Sequence, residues 1–280
     1  MDKTIVIVVL KGGLGNQMFQ YASALSVAIQ NDCELYIDTS TGFYKDPYSR
    51  SFSLGCFNIE QKKIYKKITF FEKIKSKYLR FISKFFFDKN LFVYDKDIGY
   101  DRVLNLGKKT VAHMDGYFQS PKYFKSIEKV IKNSFKFTCN HKNVNTKISD
   151  IILSTNSVCL HVRRDRIDNP ATLDFYLKAI SLIQKNTQNP IFYIFSDDPE
   201  WVNSNISRNI DINYRIIDWN PNDEIEDIWL MSLCNHFIIA NSTFSWCAAW
   251  LGTYKDKKVV APKKLEKNNK DIFPKNWKIL

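Results

Sequence analysis

Three arginines and a histidine meet at the end of one apolar run of the chain. The run Ser157–Val162 is typical of a buried strand; it contains His161 and is followed by Arg163, Arg164 and Arg166. Guanidinium groups are costly to bury, and they bond a diphosphate bidentately without losing their charge. Ligands of open α/β sheets bind at the carboxyl ends of strands, so a ligand site is favoured over a surface salt-bridge cluster.

Two further polar segments also come directly after apolar runs. Ser196, Asp197 and Asp198 end one such run, and residues 241–245, Asn-Ser-Thr-Phe-Ser, end another. Carboxylates here could accept from ribose hydroxyls or guanine nitrogens, while hydroxyls and free N–H groups at a helix start could bind a phosphate. Capping of the following helix is the alternative for both segments. The sequence thus predicts Arg, Asp and Ser/Thr side chains at one edge of one sheet.

A glycine-rich turn lies near the start of the chain. Gly12, Gly13 and Gly15 separate the apolar run Thr4–Leu10 from a helical pattern of apolar residues. Glycines let a ligand approach the backbone closely, and a helix start offers it N–H groups. The turn is neither a P-loop nor a GxGxxG fingerprint, so an ordinary strand-to-helix turn is the alternative.

The elements that must position these segments alternate between strand and helix. In the second half, runs typical of strands are Ser157–Val162, Ile191–Phe195, Tyr214–Ile217, Phe237–Ala240 and Lys258–Ala261; helical patterns cover Leu173–Lys185, Asp223–Leu233 and Phe244–Leu251. This alternation predicts an α/β fold with parallel sheets covered on both faces. Residues 140–156 are polar and weakly patterned, which is typical of a linker. We therefore expect two facing Rossmann-like domains, 1–150 and 151–280, with a tail, 263–280, that could pack back on the first.

Composition excludes several classes of protein. Of 280 residues, 45% are hydrophobic and 25% are charged, which is typical of a globular chain. No apolar run reaches the roughly 20 residues of a membrane span, and the start does not read as a signal peptide. The six cysteines form no CxxC pair and the four histidines are scattered. We therefore expect reduced thiols, a cytoplasmic setting and no metal site.

Basic residues are concentrated in one segment. The chain has a formal net charge of +12, and residues 61–90, read as helical, carry ten basic and two acidic side chains interleaved with eight aromatic ones. Such a segment suits nucleic acid or the anionic inner face of a bacterial membrane, or it is a solvated helix whose aromatics pack inward. No nucleic-acid-binding motif accompanies it, which favours peripheral membrane contact over nucleic acid.

Four motifs resemble the bacterial α-1,2-fucosyltransferases, in that family's order and over nearly the whole chain. They are Gly12-Gly13-Leu14-Gly15-Asn16-Gln17-Met18-Phe19-Gln20-Tyr21-Ala22, His161-Val162-Arg163-Arg164, Phe195-Ser196-Asp197-Asp198 and Ala240-Asn241-Ser242-Thr243-Phe244-Ser245-Trp246. Residues 115–120 and the tail around Trp277 are also similar. The resemblance implies a GT-B-type fold, with a second domain that binds GDP-fucose and a first domain that faces the acceptor.

The resemblance also assigns roles to individual residues. His161 and Arg163 match the family's HxRR motif, with Arg163 on the β-phosphate of GDP; Asn16 reaches across the cleft toward the donor, and Asp227 contacts guanine. The family usually has HxRRxD, but here Arg166 stands in the place of that aspartate. Candidate catalytic residues are Arg163, His161, Asn16, Asp165 and Asp168. Candidate donor-binding residues are Gly13, Gly15, Asn16, His161, Arg163, Asp197, Asp227, Asn241, Ser242, Thr243, Phe244 and Ser245.

The function implied is inverting transfer of L-fucose from GDP-fucose to a galactoside hydroxyl, in α-1,2 linkage. No cofactor or metal is expected, because an arginine and helix N-termini can stabilise the leaving diphosphate. The acceptor is expected to be an oligosaccharide or a lipid-linked glycan of O-antigen or surface polysaccharide synthesis. One alternative keeps the fold and uses another GDP-linked deoxysugar. Another is a non-catalytic module that binds nucleotide sugars or glycans.

Overall fold

The computed structural model describes residues 3–59, 62–64, 90–94, 105–108, 110–165, 169–220, 223–263 and 270–280. The chain divides into two compact units, Met1–Lys136 and Phe137–Leu280. Each unit is built on its own sheet, and every strand pairing in both sheets is parallel. The predicted α/β class and the GT-B-type pair of parallel sheets are confirmed.

The first unit is a five-stranded sheet with its helices. Its elements are β1 (Ile5–Val9), α1 (Leu14–Gln30), β2 (Glu34–Asp38), β3 (Lys62–Ile64), β4 (Asn90–Val93), β5 (Val111–Met114) and α2 (Glu128–Ser134). The strand order is β3-β2-β1-β5-β4. β1 lies at the centre because its β-branched run suits a strand paired on both sides; Ile5 is in register with Glu34 on one side and Val111 on the other.

The second unit contains a six-stranded sheet. Its elements are α3 (Asn143–Leu153), β6 (Ser157–Val162), α4 (Leu173–Lys185), β7 (Ile191–Ser196), β8 (Asn213–Ile217), α5 (Glu224–Ser232), β9 (His236–Ile238), α6 (Thr243–Leu251), β10 (Val259–Ala261) and β11 (Lys278–Ile279). A short helical segment, Pro199–Trp201 and Val202–Ile206, follows β7. The order is β11-β10-β9-β6-β7-β8, and all six residues of β6 are buried.

The predicted linker is wrong. Residues 143–153 form α3 instead, and the division between the units lies at 136/137, before the predicted boundary at 150. The helix belongs to the second unit because the buried Asn145 side chain bonds Asn220 and Glu226. Such a contact joins residues that are far apart in the chain, so local composition could not reveal the helix.

The last residues of the chain also belong to the second unit. β11 pairs with β10, and the ring of Trp277 lies 5.4 Å from that of Trp246 in α6. Trp246 donates its indole N–H to the carbonyl of Ile272 at 2.8 Å, and its ring stacks on that of Trp250, with centroids 6.2 Å apart. The described part of the tail is thus anchored on α6 and the sheet of its own unit.

Most of the basic segment 61–90 lies outside the described residues. Its described ends are strands, because Lys62–Ile64 pairs with β2 and Asn90 opens β4. The prediction of a helix is therefore wrong for these ends. None of the helices in the described ranges combines the length and apolar character that crossing a bilayer requires.

Candidate functional site

The three predicted polar segments of the second unit follow three adjacent strands. β6 lies between β9 and β7, and all three run parallel. Their carboxyl ends therefore meet at one edge of the sheet, where open α/β sheets bind their ligands. The prediction that arginine, aspartate and serine side chains share one sheet edge is confirmed.

Asp197 holds the arginine loop that follows β6. Its Oδ2 lies 3.1 Å from Nε of Arg163. The main-chain N–H groups of Arg164 and Asp165 donate to the same carboxylate at 2.8 and 3.0 Å. One carboxylate therefore fixes both the backbone of the loop and the guanidinium of Arg163, whose side chain is 33% exposed. The geometry favours Asp197 as a group that positions Arg163.

Arg164 and Asp198 have structural partners. Arg164 donates from Nη1 to the carbonyl of Ala171 at 3.1 Å, and its guanidinium lies 4.3 Å from the ring centroid of Trp201. Asp198 accepts from the main-chain N–H of Trp201 at 2.8 Å, and Ser196 Oγ accepts from that of Asp198. The capping alternative therefore holds for Ser196 and Asp198, because both satisfy N–H groups where the short helical segment starts.

His161 is buried behind the arginine loop and stays neutral. It is 5% exposed, and its ring centroid lies 5.7 Å from that of Phe244. Burial, with the charge of Arg163 as a smaller cause, lowers the pKa of the imidazole to about 3. Its Nδ1 has no hydrogen-bond partner among the described residues. At neutral pH the ring therefore carries no charge.

The segment 241–245 begins α6. Ser242 caps the helix, since its Oγ accepts from the main-chain N–H of Phe244 at 3.3 Å. Asn241 donates to the carbonyl of Asn169 at 3.0 Å, while its buried Oδ1 has no partner in the described part of the chain. Thr243 is the first helical residue, and Ser245, fully buried, donates from Oγ to the carbonyl of Ser242 at 3.4 Å. Ser242 therefore caps α6, and the start of this helix lies at the same sheet edge as Arg163.

Asp227 belongs to a polar network that includes the start of α3. Asn220 donates to Asp227 Oδ1 at 3.0 Å. Burial raises the pKa of the Asp227 carboxyl to about 6; the Asn220 hydrogen bond opposes this, and the neighbouring charge of Asp223 adds to it. Asn145 bonds both Asn220 and Glu226. The network thus holds Asp227 and the segment before α5 in one arrangement.

His141 also belongs to this network, through its contact with Glu226. His141 Nδ1 lies 3.2 Å from Glu226 Oε1, and its ring stacks on Trp229 with centroids 3.5 Å apart and planes 5° apart. Lys142 pairs with Asp223 at 2.8 Å. Sequence reasoning missed these residues, because His141, Lys142 and Asn145 lie in the segment that it interpreted as a linker.

In the first unit, the glycine turn is built around one positive φ angle. Gly12 has φ +76°, and a Cβ there would lie 2.8 Å from Nδ2 of Asn16. Gly13 is the N-cap of α1, and Gly15 lies in the first turn of that helix. Asn16 Oδ1 accepts from Gln119 Nε2 at 2.9 Å.

Buried amides fix this turn to its surroundings. Gln17 donates to the carbonyls of Gly12 and Ser51, both at 2.9 Å, and accepts from the main-chain N–H of Ser53 at 2.9 Å. Gln20 bonds both the N–H and the carbonyl of Lys11. These roles of Gln17 and Gln20 were not predicted, although both residues lie in the motif that carries the resemblance.

The two candidate bases differ in what the structure describes. Asp165 is exposed and lies in the loop that Asp197 holds, since its main-chain N–H donates to that carboxylate. Asp168, together with Arg166, lies outside the described residues. Within the described ranges no three His, Cys, Asp or Glu side chains are grouped closely enough to hold a metal ion.

Comparisons with known proteins show which family the chain belongs to. The model of glycosyl transferase family 11 matches residues 2–280. An alpha-1,2-colitosyltransferase of Escherichia coli is 30% identical over 98% of both chains, and the O-antigen biosynthesis glycosyltransferase WbnK of Escherichia coli is 32% identical over 91% of this chain and 93% of its own. A galactoside 2-alpha-L-fucosyltransferase of Caenorhabditis elegans is 28% identical over 60% of this chain and 52% of its own.

Solved structures agree on the fold. A mutant of Arabidopsis thaliana FUT1 in complex with GDP has a TM-score of 0.58 at 14% identity, covering 92% of this chain and 70% of that one. The fucosyltransferase NodZ from Bradyrhizobium has a TM-score of 0.53 at 13% identity, covering 89% and 92%. The resemblance seen in the motifs is confirmed over the whole sequence, and the chain belongs to glycosyl transferase family 11.

Proposed function

We propose that the protein transfers L-fucose from GDP-fucose to a galactoside hydroxyl in α-1,2 linkage, with inversion, during synthesis of O-antigen or another surface glycan. The names of its relatives support the linkage, the sugar class and the O-antigen role: one is an alpha-1,2-colitosyltransferase, one an O-antigen biosynthesis glycosyltransferase and one a galactoside 2-alpha-L-fucosyltransferase. The second unit would bind the donor and the first unit the acceptor.

The observation that carries the proposal is the arginine loop at the carboxyl edge of β6. Arg163 is held by Asp197 and remains one-third exposed, and the start of α6 lies at the same edge. When the bond between the sugar carbon and the β-phosphate breaks, negative charge grows on the diphosphate. A fixed guanidinium and helix N–H groups stabilise that charge.

The other half of the reaction is attack by the acceptor. Its hydroxyl oxygen forms the new bond on the face of the sugar opposite the leaving diphosphate, which inverts the configuration at that carbon. The hydroxyl proton passes to a base, for which Asp165 and Asp168 are the candidates. One carboxylate is sufficient for a single displacement.

Guanine recognition is assigned to Asp227. An ionised carboxylate accepts from the N–H groups of the guanine Watson–Crick edge, and Asn220 holds Oδ1 of Asp227 at 3.0 Å. Asn241, with a buried carbonyl oxygen that has no partner among the described residues, is a further acceptor at the edge.

Release of GDP from GDP-fucose, measured with a galactose-terminated disaccharide as acceptor, tests the proposal. Arg163→Ala should reduce turnover by more than tenfold, which corresponds to about 1.4 kcal/mol of transition-state stabilisation. Arg208→Ala is the matched control, because that arginine is exposed and lies away from the sheet edge. If Arg163→Ala keeps more than a tenth of the wild-type turnover, the assignment is wrong. A non-catalytic module would bind GDP but never release it from the donor.

One specific finding makes GDP-colitose the second candidate donor. The colitosyltransferase covers 98% of both chains at 30% identity, and colitose is fucose without its 3-hydroxyl. A site that hydrogen-bonds a hydroxyl rejects the analogue lacking it by a large factor, whereas an apolar pocket discriminates weakly. Comparing kcat/KM for GDP-fucose and GDP-colitose decides between the two sugars: we expect GDP-fucose to be preferred, and the reverse preference would make this a colitosyltransferase.

We also propose that residues 61–90 hold the enzyme on an anionic membrane surface near a lipid-linked acceptor. The support is their ten basic and two acidic residues, since each basic residue near such a surface contributes about 1 kcal/mol. Co-sedimentation should occur with anionic but not neutral vesicles and should weaken with salt. Replacing Lys62, Lys63, Lys66 and Lys67 with glutamine should reduce it without changing turnover of a soluble acceptor. Equal binding to both vesicle types would contradict the proposal.

A further inference from the structure

The carboxyl edge of the first sheet carries a group of polar side chains that the donor site does not use. Asp115, Tyr117 and Gln119 follow β5 and are partly exposed, while Phe118 between them is fully buried. Phe118 has φ +48°, in the left-handed region that bulky residues rarely adopt. The segment is therefore held in a defined bend, in which Tyr117 and Gln119 are half-buried and the Asp115 side chain is 11% exposed.

Lys11 reaches this segment from the loop between β1 and α1. Its Nζ donates to Asp115 Oδ1 at 2.8 Å and lies 5.0 Å from the ring centroid of Tyr117. Gln119 donates from Nε2 to Oδ1 of Asn16, in the first turn of α1, at 2.9 Å. Because β1 and β5 are neighbours in the sheet, their carboxyl ends bring these groups together. Lys11, Asp115, Tyr117 and Gln119 are called the edge cluster below.

The charge of the edge cluster indicates the class of its ligand. The ion pair of Lys11 and Asp115 makes the cluster formally neutral, so it lacks the excess positive charge that attracts a diphosphate. It offers ammonium donors, carboxylate and amide acceptors, and one aromatic ring. A pyranose has the complementary features, because its hydroxyls both donate and accept and its ring presents an apolar C–H face.

We propose that the edge cluster binds the neutral hexose of the acceptor glycan, a further inference that rests on the proposed function. Asp115 accepts from sugar hydroxyls, Lys11 donates to them, and the ring of Tyr117 packs on the sugar face. The alternative is an ion pair that merely fastens the segment, but a partly buried pair adds little to stability because desolvation offsets its attraction.

Kinetics and binding with lactose and N-acetyllactosamine test the edge cluster in the full-length protein. Asp115→Asn and Tyr117→Leu should raise KM for these acceptors at least tenfold, whereas Tyr117→Phe, which keeps the ring, should change it less than twofold. The Kd for GDP and the acceptor-independent hydrolysis of GDP-fucose should not change. Glu128→Gln is the control, because it breaks an exposed ion pair, 2.9 Å to Lys132, in the same unit.

The outcomes separate this inference from the proposed function. An unchanged acceptor KM in both Asp115→Asn and Tyr117→Leu overturns the edge cluster and leaves the transferase intact. So does a parallel loss of acceptor and GDP affinity, because that is the signature of a structural role. Failure of the wild-type protein to bind GDP or release it from GDP-fucose overturns the proposed function; ligand-observed NMR then still reports whether Asp115→Asn abolishes disaccharide binding. Absence of any disaccharide signal with the wild type overturns the edge cluster.

Discussion

Replacing Asp197 with asparagine should show how much the donor site depends on the charge of this carboxylate, because the side chain keeps its shape. The carboxylate accepts from the main-chain N–H groups of Arg164 and Asp165 and pairs with Nε of Arg163, at 2.8 to 3.1 Å. An asparagine of the same shape has one acceptor oxygen and an amide group that cannot accept. In either amide orientation at least one of the three donors loses its partner, and the guanidinium loses its counter-charge.

The size of the effect follows from these contacts. A hydrogen bond to a charged group contributes about 1.5–3 kcal/mol, and the lower part of this range applies because Arg163 is one-third exposed. Since about 1.4 kcal/mol corresponds to a factor of ten in rate, Asp197→Asn should lower kcat roughly tenfold to thirtyfold. KM for GDP-fucose should change less than about threefold, because Asp197 acts through the arginine and the charge on the phosphate develops in the transition state.

Asp198→Asn is the matched control. Asp198 accepts from the main-chain N–H of Trp201, and asparagine caps helices as well as aspartate does. Steady-state GDP release at saturating acceptor, with circular dichroism to monitor folding, measures both variants. If Asp197→Asn keeps more than half of the wild-type kcat, or if Asp198→Asn loses as much, Asp197 does not position Arg163.

Three further outcomes are expected. Because the pKa of Asp227 is raised to about 6, GDP affinity measured by calorimetry should be constant above pH 7 and fall about tenfold per unit below pH 6, as protonation removes the acceptor; Asp227→Asn should abolish this slope, and an unchanged slope would exclude the guanine contact. Trp277→Ala should destabilise the second unit by about 3–5 kcal/mol in denaturant melts, because a buried ring that packs on Trp246 is lost; a shift below 1 kcal/mol would show that the tail does not anchor α6. Turnover should persist in excess EDTA, whereas loss of turnover that Mn²⁺ restores would show that the reaction depends on a metal ion.

The strands that position the donor site could be predicted because they are almost entirely buried. β6 and α4 have the predicted bounds, and the predicted strand ends correctly placed Arg163, Asp197 and Ser242 at one edge. Continuous apolar runs of five or six residues are strong local signals for strands of a covered parallel sheet.

What the sequence did not reveal depends on contacts between distant residues. Asp197 was predicted as a donor-binding residue, and the sequence did not reveal that it also accepts main-chain hydrogen bonds from residues 32 and 33 positions earlier. α3 looked like a linker because Asn145, which fixes it to the second unit, finds Trp219 and Asn220 more than 70 residues later. The strand Lys62–Ile64 is short and basic, and its pairing with β2 is what makes it a strand.

All six tryptophans of the chain, at 201, 219, 229, 246, 250 and 277, lie in the second unit. Intrinsic fluorescence excited at the red edge of indole absorption therefore reports that unit alone, and the first unit contributes only tyrosine emission. Trp201 lies against the Arg164 guanidinium beside the proposed diphosphate site, so donor binding should change its emission without any added label. In denaturant, indole emission and far-ultraviolet circular dichroism should give the same transition only if the two units unfold together, which makes the distribution of tryptophans a built-in test of their cooperativity.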